Sequence, residues 1–195
     1  KLGYRIKLLA IANLAEDGLE LSVSPTLVPE GTPLAEVRDA YNAIQVIGDA
    51  VGPVFYHGLG AGQMPTASAV AADLIDTAVG RTRLTFQTLE YFSIDQPPRV
   101  KLRDADTSSG RYYLRLRVAN HPGTLAAIAA VLAQYGISIA SVIQHEGSDG
   151  RVQLDPVPLV IMTHVATEGA ARLATADIEA LASVTGPVVR LRVKD

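Results

Sequence analysis

The stretch from Gly48 to Asp76 constrains this chain more than any other. An apolar run, Val54-Phe55-Tyr56, feeds a turn carrying Gly58, Gly60 and Gly62, and a helix-compatible run opens directly after it at Pro65-Thr66. The apolar run favours a strand, the glycines allow positive φ and close backbone approach, and proline suits the first turn of a helix. A strand-turn-helix of this kind aims free N–H groups and the positive end of the helix dipole at whatever occupies the turn.

Two physical readings of the turn stand side by side: the glycines let the helix pack tightly on its strand, or they bring backbone close to a ligand. A dinucleotide-binding first βα unit is disfavoured. The spacing is Gly-x-Gly-x-Gly rather than Gly-x-Gly-x-x-Gly, no strand is evident after Asp76, and the acidic residue expected about 20 positions on has no clear candidate. By residues, 58–73 resembles the stretch near the end of the catalytic domain of homoserine dehydrogenases. There a GxGAGxxPTASAVxxD pattern packs against nucleotide and substrate.

Composition sets the outer limits. With 195 residues and 48% hydrophobic content the chain can bury a core in one or two domains. A net charge of −3, with no basic stripe, argues against a nucleic-acid footprint. There is no cysteine, which excludes a disulfide framework and a thiolate nucleophile and fits a reducing cytosol. No apolar run approaches the ~20 residues of a membrane span, and no signal-peptide pattern opens the chain. The start at Lys1, inside amphipathic sequence and without an initiator methionine, predicts a fragment.

Tyr4 to Asn13 and Leu19 to Thr26 flank Glu16-Asp17-Gly18 and predict a β-hairpin. Pro29 to Pro33 breaks that pattern. Leu34, Val37, Tyr41 and Ile44 then stand near helical spacing, so 34–44 is expected to be a helix, followed by strands at 45–47 and 51–56 and a helix over 65–79. From Gly80 to Arg111 no period is sustained beyond a possible short helix, and Pro97-Pro98, the charged run from Arg99 and Thr107-Ser108-Ser109-Gly110 read as a linker.

The remainder reads as strand 112–118, helix 122–135 stopped by Gly136, strand 137–145, a turn at 147–150, strand 157–165, helix 168–182 and strand 184–193. This βαββαβ order is the ferredoxin-like unit. With Asn120-His121-Pro122-Gly123-Thr124-Leu125 at the first strand-to-helix turn and Gly136-Ile137-Ser138-Ile139 after the helix, residues 112–193 resemble an ACT domain, an amino-acid-sensing module. The family more usually carries Asp at the position of Asn120, and the departure removes a charge that could hold a ligand's ammonium. Many members carry Asn where Ser138 stands. The plainer reading also stands: Asn120 an N-cap, Pro122 a helix opener, and the unit a dimerisation sheet with an exposed edge.

The resemblances together imply an α+β chain: an open mixed-sheet catalytic/dimerisation portion over 1–80, a linker over 81–111 and an ACT regulatory domain over 112–195. They imply the C-terminal part of an NAD(P)-dependent enzyme that interconverts aspartate semialdehyde and homoserine, with threonine feedback. The nucleotide would be bound mainly by an N-terminal domain, and the catalytic residues would lie upstream of Lys1. The carried-over cofactor-proximal positions are Gly60, Ala61, Gly62, Pro65 and Thr66; the effector positions are Asn120, Gly123, Thr124, Ser138 and Ile139. Cytoplasmic location and a homodimer or homotetramer are expected, with no nucleic-acid or membrane partner. The competing class is a non-enzymatic amino-acid-binding or dimerisation protein.

Other candidates weigh less. His57, His121, His145 and His164 form no i, i+4 pair, so no metal site is expected. His57, beside the glycine turn, reads as a local substitution rather than a base, and Asp73 and Asp76 at i, i+3 as a solvated helix face.

Overall fold

The computed structural model describes residues 2–88, 100–144 and 156–194. His145, the turn expected at 147–150 and Pro97-Pro98 fall outside those residues. The chain is α+β and packs as two units, residues 1–29 with 102–195, and residues 30–101.

The first unit is built on one seven-stranded mixed sheet. Strands β1 (Tyr4–Ala15) and β2 (Gly18–Pro29) form the expected hairpin, in register from Tyr4↔Pro29 to Ala15↔Gly18. Gly18, at φ 141°, supplies the backbone freedom the tight turn needs. The ferredoxin-like unit comprises β5 (Ser109–Val118), α4 (Thr124–Gln134), β6 (Ile139–Gln144), β7 (Val157–Thr163), α5 (Glu168–Glu179) and β9 (Val189–Val193), with a two-residue strand β8 (Ala166–Thr167) between β7 and α5. The strand order is β1-β2-β9-β5-β7-β6, with β8 paired to β5. The hairpin joins this sheet because β2 runs parallel to β9 at Thr26↔Arg192 and Leu27↔Val193. The packing therefore divides the chain elsewhere than at residues 80 and 111: 1–29 lies with the ACT-like elements, and β5 begins at Ser109, inside the expected linker.

Alternation along β5 places Tyr112, Leu114, Leu116 and Val118 on the face that α4 and α5 cover. They form one core with Ile128 and Leu132 of α4, Leu159 and Ile161 of β7, and Ala174 and Ile178 of α5. Each fully buried aliphatic side chain contributes about 1.5–3 kcal/mol. Helix α4 stops where the sequence places its stop. Gly136 sits at φ 68°, its N–H donates to Ala133 O at 3.0 Å, and the Ile137 N–H donates to Leu132 O at 2.9 Å, which is the paired bonding of a Schellman cap. Helix α5 is capped by the Thr167 hydroxyl, which accepts from the Ala170 N–H at 3.2 Å. The last strand is shorter than expected: Gly186 turns at φ 76°, and Val184 makes only an isolated bridge to Val118.

The second unit holds a short helix α1 (Pro33–Glu36), a hairpin of β3 (Tyr41–Gly48) and β4 (Gly52–Leu59), α2 (Gln63–Ala78) and α3 (Arg81–Thr88). The helix expected over 34–44 is therefore corrected to one turn. Val37, extended at ψ 124°, ends it, Asp39 then turns left-handed at φ 54°, and Tyr41 enters a ladder opposite Leu59. The spacing of Leu34, Val37, Tyr41 and Ile44 mimicked a helical period across that break. Helix α2 buries none of its residues, and Met64, Val70, Leu74 and Ile75 stand exposed.

Candidate functional site

The glycine turn has the expected local form. Strand β4 ends at Leu59, and the Gly60 N–H donates to Ala40 O at 3.1 Å. A β-carbon on Gly60 would lie 1.6 Å from Asn42 Nδ2, so any side chain there must displace that of Asn42. Gly62, at φ 123°, is the N-cap of α2 and its carbonyl accepts from the Thr66 N–H at 3.1 Å, closing the first turn. No side chain caps that end, and Pro65 falls within its first turn. Gly60, Ala61, Gly62, Pro65 and Thr66 thus form one continuous, solvent-facing corner.

Behind this corner, His57 stacks on Tyr41 with ring centroids 4.8 Å apart and on Phe55 at 6.1 Å. Its immediate role is therefore aromatic packing on the β3–β4 hairpin. Asp76 pairs with Arg81 at 2.8 Å on the exposed helix surface. Among the described residues no group of histidines, cysteines or carboxylates could hold a metal ion.

The five ACT-type positions do not converge within one chain. Gly123, at φ 92°, is the N-cap of α4, and the Thr124 hydroxyl donates to Ala119 O at 3.1 Å. Asn120 therefore lies outside the cap; its Oδ1 accepts from Gln144 Nε2 at 3.4 Å. Ser138 and Ile139 follow the other end of α4, where the Ser138 carbonyl accepts from the His164 N–H at 2.8 Å. A helix of 11 residues separates the two groups, about 16 Å at the rise of an α-helix.

A charged cluster that no sequence pattern singled out lies where β2, β5, β9 and the start of α5 meet. Arg192 Nη2 donates to Glu20 Oε1 at 3.0 Å, to Ser108 Oγ at 2.8 Å and to Ser109 O at 2.7 Å. The Ser108 hydroxyl also donates to Glu20 Oε1. Arg103 approaches the same carboxylate at 3.8 Å. Burial alone pushes the Glu20 carboxyl up, but the hydrogen bonds from Ser108 and Arg192 and the charges of Arg192 and Arg103 outweigh it and hold the group below its ordinary value. Two residues earlier on β9, Arg190 Nη1 donates to Glu168 Oε1 at 2.5 Å, and the Tyr112 hydroxyl donates to Glu168 Oε2 at 2.9 Å. Burial, then the bond to Glu168, pushes the Tyr112 hydroxyl far up, so it remains a donor at any physiological pH. The available signal was two arginines alternating in an apolar strand, which puts both on one face.

The relatives of this chain agree with the geometry of both units. Residues 1–75 match the family model for homoserine dehydrogenase, and residues 112–183 match the model for the ACT domain. A homoserine dehydrogenase of Pseudomonas aeruginosa is 40% identical over 99% of this chain, and one of Neisseria gonorrhoeae 41% over 100% of it. The chain belongs to the homoserine dehydrogenase family. It spans 44% of the length of each of these two relatives, so it corresponds to part of such an enzyme. Among solved structures, a homoserine dehydrogenase from Thiobacillus denitrificans superposes with TM-score 0.83 at 44% identity, covering all of this chain and 43% of that one. The Staphylococcus aureus enzyme at pH 7.0 gives 0.57 at 26% identity, covering 100% and 43%. The family match places the Gly58–Asp73 pattern in a homoserine dehydrogenase segment, and the ACT match covers the βαββα elements from β5 through α5.

Proposed function

We propose that this chain supplies one wall of the active cleft and the regulatory tail of an NAD(P)-dependent homoserine dehydrogenase, which interconverts L-aspartate 4-semialdehyde and L-homoserine. The observation that carries the reading is the Gly60–Thr66 corner, set within the segment that matches the family model. Gly60 leaves room for the Asn42 side chain, and Gly62 leaves the start of α2 without a side-chain cap. This suits close backbone approach by an anionic or polar group. Gly60, Ala61 and Gly62 would face the nicotinamide nucleotide, while Pro65 and Thr66 fix the first turn of α2. The cofactor, when bound, supplies the hydride chemistry; the chain's own residues orient and enclose. General acid and base are assigned to residues preceding this chain in the full-length protein.

For the ACT domain we read amino-acid sensing, with threonine as the effector. Asn120, Gly123 and Thr124 offer polar and backbone groups at one end of α4. Because Ser138 and Ile139 lie at its other end, the two groups can share one ligand only across a contact with a second copy of the chain, which fits a homodimer or homotetramer. Regulation then requires threonine to bind two conformations with different affinity, a coupling of ~1–3 kcal/mol in typical cases. Among the described residues no helix is long and apolar enough to cross a membrane, and a cytoplasmic location is part of the proposal.

The test is homoserine-dependent reduction of NAD(P) by the full-length protein, with and without L-threonine. Activity that falls with threonine supports both halves of the reading. Absence of activity in a folded full-length protein overturns the first half, and activity indifferent to threonine overturns the second.

A further inference from the structure

Within the first unit, the hairpin of the homoserine dehydrogenase segment meets the ACT elements along a seam between β2 and β9 that is short for a reason written in the sequence. Leu27 turns its carbonyl to β9 and accepts from the Lys194 N–H at 2.8 Å. Pro25, two residues earlier on the same edge of β2, has no N–H to give. The parallel ladder is therefore confined to Thr26↔Arg192 and Leu27↔Val193, whereas β2 pairs with β1 along its whole length. A contact of two pairs opens far more readily than the strands it joins.

Side chains supply the rest of the attachment. Arg192 reaches from β9 to Glu20 of β2, and Gly110 clears its route, since a β-carbon there would lie 2.8 Å from Arg192 Nε. The same guanidinium holds Ser108 Oγ and Ser109 O, and the Ser108 carbonyl accepts from the Glu168 N–H at 2.7 Å. The strap thus ties β2 to the first residues of β5 and α5. Strand β5 then runs from Ser109 to Val118, paired with β7 and β9, and leads directly into the loop that carries Asn120, Gly123 and Thr124. One strand has that loop at one end and the strap at the other. Strand β2 ends at Pro29, and the next residue, Glu30, begins the unit that carries the Gly60–Thr66 corner.

We propose that the Glu20–Arg192–Ser108 strap, set over the two-pair hinge at Thr26 and Leu27, is the regulatory coupling device of this protein, with Arg192 as a positioning residue. Occupancy of the 120–124 loop shifts β5, the strap carries the shift to β2, and the hairpin swings about the hinge. A buried carboxylate parted from its partner is strongly disfavoured, so the strap is either closed or, with the hairpin swung out and the charges in water, open. The proposal rests on the reading of the ACT elements as a threonine sensor and names how that sensor acts.

The experiment compares the full-length wild type with Gly110→Ala and Glu20→Gln. Gly110→Ala pushes the flexible end of Arg192 off Glu20 without removing a charge, and Glu20→Gln keeps size and an accepting oxygen, so it serves if the first variant does not fold. Threonine binding is read by calorimetry, and coupling as the ratio of kcat/KM for homoserine without and with saturating threonine. The expected result is retained threonine binding and unchanged kcat/KM in its absence, with the coupling ratio falling toward one by about threefold or more. Binding retained with a wild-type ratio overturns the strap and leaves threonine sensing in place. Loss of threonine binding in the folded variants also overturns it, because the cluster then only supports the ACT site. A wild type that threonine neither binds nor inhibits overturns the sensor reading and the strap with it.

Discussion

Glu20 and Arg192 stand 172 residues apart in sequence and meet at 3.0 Å, with only 10% and 15% of their side chains exposed. One residue comes from the N-terminal hairpin and the other from the last strand of the ACT elements. The ion pair, tied further to Ser108, fastens the hairpin to β9 at the point where the two strands have just two paired positions.

Removing one partner strands a largely buried charge. Arg192→Leu is expected to destabilise the first unit by about 3 kcal/mol, and Glu20→Leu in the same background to recover part of that loss. Urea unfolding of the two single variants and the double variant reads this directly. Equal and additive losses would show that the pair is not coupled.

The same carboxylate predicts an acid dependence. Glu20 is held below its ordinary value in the folded state, so its contribution is present above the unfolded carboxylate range and is lost as pH falls through the lowered folded value. The unfolding midpoint of the wild type should decline on acidification below that range, and the decline should be shallower in Glu20→Gln. Parallel curves for the two proteins would assign the acid sensitivity to other groups.

Gly60 separates two roles of the glycine corner. A β-carbon there collides with the Asn42 side chain, so Gly60→Ala must displace Asn42, and Asn42→Gly in the same background relieves the collision. If the corner faces the cofactor, Gly60→Ala lowers kcat/KM for homoserine oxidation by the full-length protein about tenfold, equivalent to ~1.4 kcal/mol in the barrier, and the double variant recovers part of it. A lowered melting temperature with unchanged kcat/KM would make the glycines purely a packing device.

Ile161 is fully buried in the centre of β7, opposite Leu114 of β5 and Val142 of β6. Ile161→Ala should cost about 2–5 kcal/mol, the range for a large-to-small change in a core. Denaturant unfolding with an unchanged slope would confirm a stability loss without a change in the unfolded state.

Sequence alone determined the local pieces wherever short-range stereochemistry decides. The Tyr4–Pro29 hairpin follows from two apolar runs around Asp17-Gly18, the stop of α4 from Gly136, and the start of α2, to within two residues, from Pro65, because each depends on a few adjacent backbone angles. The ACT core was legible too, since alternation in β5 and helical spacing in α4 report one buried face each. Over 34–44 the same logic failed, because an apolar spacing cannot reveal that Asp39 turns left-handed and that Tyr41 pairs with Leu59. Only the tertiary structure decided that the hairpin belongs to the ACT sheet, that Asn120 and Ser138 lie at opposite ends of a helix, and that Glu20, Ser108 and Arg192 converge. Those facts rest on contacts between residues far apart in the chain, and no periodicity within a single segment encodes which distant strand edge it will meet.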